Sequence, residues 1–343
     1  MGTSCSSGIR KAIMGGGSHK VCVCGGAGGI GQPLCLLMAM DPNVKELAIF
    51  DLNVAMVPPD GVAADLGHIE SKVKVTGHSL NVGNAPKDHL TECLSGCSLV
   101  LVAAGMPRKP GMTRDHLFKV NADIAKGIVE ASAKFCPQAV VALIVNPINS
   151  IVPAMAELYK KSGLDPLKIV GVTTLDCVRA NKFVADAVGC HPSSVEVPVI
   201  GGHSGVTIMP VFSQDPMATK IKQSTLEALD KKTQDAGTDV VNAKNGKGSA
   251  TLSMAYAAAR LGKAILAGMS GTYSTECAYV KSDVTELPYF SSRVVFGRGG
   301  VKQVLDIGLL NEYEETRLEE VIVQLKSEIQ TGLKYAEQRT LGR

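Results

Sequence analysis

Apolar positions along the chain fall into short unbroken runs, separated by longer stretches in which apolar residues recur at helical spacing. Six such runs, at 21–24, 46–51, 73–76, 98–104, 139–145 and 168–172, predict strands buried on both faces. Helical stretches lie between them, including 113–134 and one through 157–163. This alternation predicts a doubly wound α/β fold built on a parallel sheet. Beyond about residue 165 the pattern changes. Segments 196–203 and 207–212 read as an antiparallel pair, 278–280 and 293–297 as further strands, and 225–242, 249–268 and 312–337 as long helices. The expected organisation is an N-terminal extension over 1–20, a Rossmann-type dinucleotide domain over 21–165 and an α+β substrate domain over 166–338.

The first run ends in glycines. In KVCVCGGAGGIG, residues 20–31, Gly25, Gly28 and Gly31 are three apart and open onto an apolar helical stretch. A strand, a glycine turn and a helix N-terminus make a pyrophosphate cradle, to which Gly29 and Ile30 contribute backbone. The second run ends at Asp51, twenty positions after Gly31, where a carboxylate accepts hydrogen bonds from an adenosine ribose diol. No Arg or Lys occupies 52–57 to receive a ribose 2′-phosphate, which favours NAD over NADP.

With 343 residues the chain has ample length for a large core; 45% hydrophobic and 20% charged residues fit a globular protein. A net charge of +3, only 4% aromatics and no Trp argue against a nucleic-acid surface. No apolar run approaches the roughly 20 residues of a membrane span. The ten cysteines lack the spacing of a zinc site, and Cys22 and Cys24 fall in a predicted buried strand, so reduced thiols, no metal and an intracellular compartment are expected. The first twenty residues contain no acid. They are compatible with a mitochondrial presequence, with myristoylation at Gly2 and palmitoylation at Cys5, or with a plain disordered tail, leaving mitochondrial matrix or cytoplasm open, with a lean to the former.

In a doubly wound sheet, ligands bind beyond the carboxyl ends of the strands. Three clusters follow such ends. Arg108 and Arg114 flank a Pro-Gly turn and suit bidentate capture of a carboxylate. Asp176 and Arg179 share a helix face. His203 lies between glycines in GGHSG, which would let a substrate approach the ring. Hydride transfer from an alcohol carbon to NAD needs a base for the hydroxyl proton. His203 suits that role, with Asp176 holding its tautomer, Arg179 anchoring a substrate carboxylate and Asn146, after the fifth strand, orienting the hydroxyl.

The segments GGAGGIGQPL, AAGMPRKPGMTRDHLF, NPINS, GVTTLDCVRAN, IGGHSG and GSATLSMAYAAAR, in this order, resemble the lactate/malate dehydrogenase superfamily, and within it the malate dehydrogenases of the mitochondrial and bacterial type, over residues 21 to 335. The resemblance implies NAD-dependent oxidation of (S)-malate to oxaloacetate by a homodimer. It implies that His203 is the proton acceptor and Asp176 its partner, that Arg108, Arg114, Arg179 and Asn146 bind substrate, and that Arg108 does so from a mobile loop. It further implies that the loop from Gly25 to Gly31 with Asp51, Asn121, Val145 and Met254 contacts NAD. Relatives acting on lactate carry a neutral glutamine at the position of Arg108, and those acting on aromatic 2-hydroxy acids lose the arginine. A distal carboxylate left without its charged partner would cost ~1.5–3 kcal/mol, so Arg108 favours a dicarboxylate. The alternatives are a lactate or aromatic 2-hydroxy-acid dehydrogenase, or a non-catalytic NAD-binding protein. Met106, where a smaller branched residue is common, and the 57–61 turn depart from the family pattern, and the C-terminus lacks an SKL-type address.

Overall fold

A computed structural model describes residues 18–80, 89–106 and 114–342. The six expected strands are present as β1 (His19–Cys24), β2 (Val44–Leu52), β3 (Lys74–Leu80), β4 (Cys97–Val102), β5 (Val140–Leu143) and β6 (Ile169–Gly171). They run parallel in the order β3-β2-β1-β4-β5-β6. The chain reverses direction of travel across the sheet between β1 and β4, which creates a crevice at the carboxyl ends of both strands.

Period-two alternation explains why these runs are apolar throughout. Val21, Val23, Leu99 and Leu101 face one core layer, while Cys22, Cys24, Val100 and Val102 face the other. Helices cover both faces: α1 (Gly31–Ala39), α2 (Pro59–Leu66), α3 (His89–Leu94), α4 (Arg114–Phe135) and α5 (Ile148–Lys161). The nine described cysteines are free, and all but Cys190 are buried.

Beyond β6 come α6 (Thr174–Val188), the short antiparallel pair β7 (Val199–Gly201) and β8 (Ile208–Pro210), α7 (Gln223–Ala243), α8 (Leu252–Met269), strands β9 (Ser274–Lys281), β10 (Tyr289–Gly297) and β11 (Gly300–Val304), and α9 (Glu312–Glu337). One feature differs from the sequence reading. β1 starts at His19, so the last two residues assigned to the N-terminal extension belong to the sheet; His19 bonds Ser98 and Ser270, and the Lys20 ammonium caps the carbonyls of Glu92 and Ser95. The last three residues of NPINS open α5. The strands of the second half continue the same sheet: β9 pairs antiparallel with β6 at Gly171 and Tyr279, giving one eleven-stranded sheet among the described residues. Gly171 permits that junction, since a Cβ there would meet Val152 and the Tyr279 side chain.

Candidate active site

The glycine turn after β1 is built as a cradle. Gly25 holds φ +81°, and a Cβ would lie 2.5 Å from the backbone nitrogen of Ala104. At Gly31 a Cβ would collide with the Gly25 carbonyl, so this glycine sets how closely α1 packs on the turn. Gly28 and Gly29 are exposed and clear of backbone collisions, open for a ligand's approach. Ile30 caps α1 with no side-chain hydrogen bond, so no side chain occupies the helix N-terminus, where an anion is favoured. A fifth glycine, Gly26, escaped the sequence reading; a Cβ there would lie 2.6 Å from the Ile49 side chain.

Asp51, at the end of β2, braces this turn. Its Oδ2 accepts from the Ala27 N–H at 2.9 Å and its Oδ1 from the Leu52 N–H at 2.8 Å. Each oxygen retains lone-pair capacity for a ribose hydroxyl. The turn, the uncapped helix end and the half-exposed carboxylate therefore fit the pyrophosphate and adenosine ribose of NAD. On the far side, Thr251 at the start of α8 abuts Gly29, with buried Met254 one turn along.

Asn121 on α4 spans the two loops that follow β4 and β5. It is 2% exposed; Oδ1 accepts from the Met106 N–H at 2.7 Å, and Nδ2 donates to the carbonyls of Met106 at 3.1 Å and Asn146 at 2.7 Å. Buried Val145 packs where a Cβ of Gly105 would otherwise be, and the Asn146 side chain is exposed beside it. The Asn146–Pro147 bond is cis. Arg108 lies outside the described residues; Arg114 begins α4, with its side chain likewise outside them.

Asp176, in the first turn of α6, is fully buried. Its Oδ2 meets His203 Nδ1 at 2.5 Å. A carboxylate only accepts, so this contact places the imidazole proton on Nδ1 and the lone pair on Nε2. The other carboxylate oxygen, Oδ1, has no hydrogen-bond partner among the described residues, and Arg179 Nη1 approaches it at 3.7 Å. Burial lowers the Arg179 pKa from its usual value, while Asp176 and Asp239 pull it back up. The guanidinium stays a cation. An imidazole with its lone pair on Nε2, a carboxylate behind it and a guanidinium one helical turn away form a site for a proton transfer next to an anionic group.

Gly201 and Gly202 are closely packed, whereas a Cβ on Gly205, at φ +48°, would meet nothing within 4 Å among the described residues. Gly201 holds φ +96° with the Thr207 carbonyl against it, and a Cβ on Gly202 would lie 2.6 Å from the Asn149 amide. Asn149 itself accepts the His203 backbone N–H at 2.8 Å. No local sequence signal marks this role of Asn149, beyond its place in NPINS.

Two family models cover nearly the whole chain. "Lactate/malate dehydrogenase, NAD binding domain" matches residues 19–171, and "lactate/malate dehydrogenase, alpha/beta C-terminal domain" matches 173–336. The chain belongs to the lactate/malate dehydrogenase family. Among curated members it is 49% identical over 334 residues to malate dehydrogenase 1, mitochondrial, of Arabidopsis thaliana, covering 96% of this chain and 95% of that protein. It is 48% identical over 328 residues to malate dehydrogenase 1, peroxisomal, of the same plant, covering 95% and 90%. The fold matches the apo malate dehydrogenase of Picrophilus torridus with a TM-score of 0.80 at 23% identity, over 94% of this chain and 99% of that one. In this dehydrogenase, the cradle, Asp51, Asn121 and Val145 fall in the part matching the NAD binding model, whereas Asp176, Arg179 and His203 fall in the part matching the C-terminal model.

Proposed function

We propose that His203 is the proton acceptor of this family member, with Asp176 as its partner and Arg179 as the anchor of a substrate carboxylate. The activity is that of an NAD-dependent malate dehydrogenase, interconverting (S)-malate and oxaloacetate. The observation that carries the residue roles is the 2.5 Å contact between His203 Nδ1 and the fully buried Asp176 carboxylate. When bound, NAD accepts the hydride from the malate carbinol carbon.

His203 Nε2 takes the hydroxyl proton, and the imidazolium so formed is stabilised by Asp176 in a site of low dielectric. Arg179 holds the near carboxylate; Arg108 and Arg114 hold the distal one, Arg108 closing over it and expelling water. Asn146 contacts both substrate and nicotinamide. The cofactor rests on Gly25, Gly28, Gly29, Ile30 and Gly31, on Asp51 through its ribose, and on Asn121, Val145 and Met254 toward its reactive end. We assign 21–165 as the dinucleotide domain and 166–338 as the substrate domain; Arg108, Arg114 and Asn146 would reach the substrate from the first, and Met254 would reach NAD from the second. Arg108 supports malate over lactate, because an unpaired guanidinium in a closed site disfavours a substrate that ends in a methyl group.

The test is NADH consumption with oxaloacetate, pyruvate and phenylpyruvate compared side by side. A strong preference for oxaloacetate supports the reading, and preference for another keto acid overturns the role given to Arg108. Among the described residues, no helix is long and apolar enough to cross a membrane. Homodimer assembly, to be tested by light scattering, and a mitochondrial address, to be tested by fractionation, extend the reading. The latter is supported by the mitochondrial relative, against the peroxisomal one.

A further inference from the structure

The loop that carries His203 is fixed to the far end of the chain through a half-buried polar chain. Asn149, 1% exposed in the first turn of α5, is its centre. Its Oδ1 accepts the His203 N–H at 2.8 Å. Its Nδ2 faces Glu328 Oε2 on α9 at 2.6 Å, and the hydroxyls of Ser204 and Thr207, each at 3.1 Å. Ser204 Oγ donates to Glu328 Oε2 at 2.9 Å, and Gln324 Nε2 donates to Oε1 at 2.8 Å. The position of Glu328 relative to α5 is itself locked. Ser150 Oγ donates to the Glu328 carbonyl at 2.8 Å, and Gly332, one turn on, lets α9 settle against the Ser150 carbonyl.

A side-chain amide has two orientations, and its surroundings choose between them. Reversing Asn149 would set its NH2 group against the His203 N–H and its oxygen against the Glu328 carboxylate. Both contacts are repulsive, and both are partly shielded from water. A carboxylate at 328 accepts only, so it holds the Asn149 NH2 toward α9 and the carbonyl toward His203. We infer that Glu328 is a positioning residue for the reaction: acting through Asn149, it fixes the backbone of His203 and so the direction of Nε2. The inference rests on the role given to His203 above.

The experiment uses the full chain with Glu328→Gln, Asn149→Asp and the double exchange. The side-chain amide that E328Q introduces can donate to a reversed Asn149, so the orientation is no longer enforced. For E328Q the expected result is a fall in kcat of about tenfold, the scale of one misplaced hydrogen bond, with KM for oxaloacetate and Kd for NADH held within about twofold. In N149D two carboxylates abut, and the loss is larger. In N149D/E328Q the amide and carboxylate exchange places, so a donor again faces an acceptor; kcat should recover about tenfold over N149D alone. Hydrogen exchange at the His203 amide reads the same bond without turnover and should quicken at least about fivefold in E328Q. An inactive wild type would overturn the functional reading while leaving this exchange result to decide the network. Wild-type kcat and exchange in E328Q, parallel losses in kcat, KM and NADH affinity, or a double variant no better than N149D would each overturn the inference. Should E328Q not fold, the comparison of the double variant with N149D still decides it.

Discussion

Replacing Asp176 with Asn keeps the shape of the side chain and removes its charge, which isolates the electrostatic part of the proposed relay. The contact to His203 Nδ1 is 2.5 Å and the carboxylate has no exposure to water. Charge-assisted hydrogen bonds contribute ~1.5–3 kcal/mol against ~0.5–1.5 for neutral ones. Coulomb's law for an imidazolium and a carboxylate about 4 Å apart gives ~4 kcal/mol at an effective dielectric of about 20. The two figures describe the same charge and are not added; together they bracket a loss of ~2–4 kcal/mol at the step where imidazolium forms. That corresponds to a fall in kcat of about 30-fold to 1000-fold. An Asn whose NH2 turned to Nδ1 would impose the wrong tautomer and place the loss at the upper end. NADH affinity, read by fluorescence, should stay near the wild-type value, because Asp176 is not among the residues assigned to the cofactor. The melting temperature should fall only modestly, since the substitution also removes a buried charge, one oxygen of which has no hydrogen-bond partner among the described residues and only Arg179 at 3.7 Å. A variant turning over within about fivefold of wild type would refute the assignment of Asp176 as the group that stabilises the imidazolium. A parallel loss of NADH binding would trace the effect to the fold instead.

Arg108→Gln should lower kcat/KM for oxaloacetate by about 10-fold to 150-fold, the equivalent of one charge-assisted contact, and lower that for pyruvate far less; equal losses would remove the basis for dicarboxylate selection. Asp51→Ser takes away a brace of the glycine turn and a ribose acceptor. It should raise KM for NAD about tenfold and narrow the preference over NADP, and an unchanged NAD-to-NADP ratio would contradict the cofactor assignment. His19 has its pKa lowered chiefly by burial, with Asp41 opposing. The unfolded chain therefore binds the proton more readily, and this residue's effect is to reduce stability as pH falls below the unfolded value of about 6.5 toward the lower folded one. Urea midpoints for His19→Gln should drop less than wild type between about pH 7 and pH 5, and identical slopes would show that the buried ring is not the titrating group.

Much of the architecture was written locally. A strand buried on both faces needs every residue apolar, so β1, β2, β4 and β5 stand out as runs, and Gly25 and Gly31 punctuate the first of them because no side chain fits there. The spacing from Gly31 to Asp51 was legible for the same reason: a single βαβ unit keeps its parts within a short stretch of chain. The candidate pair Asp176 and His203 was legible only as two residues at strand and loop ends; their contact spans 27 positions and depends on α6 and β7 packing together. What the tertiary structure alone decided lies at longer range. The union of β6 with β9 joins residues 108 positions apart in the chain, at Gly171 and Tyr279. Gly201 and Gly202, before His203, proved to be spaces for Asn149 and Thr207. Asn149 in turn is held by Glu328, 179 residues away, on a helix whose amphipathic pattern shows that it packs but not against what. Periodicity along a chain records how much of each residue is buried; which donor meets which acceptor is settled only when distant segments close, and that choice orients the proposed base.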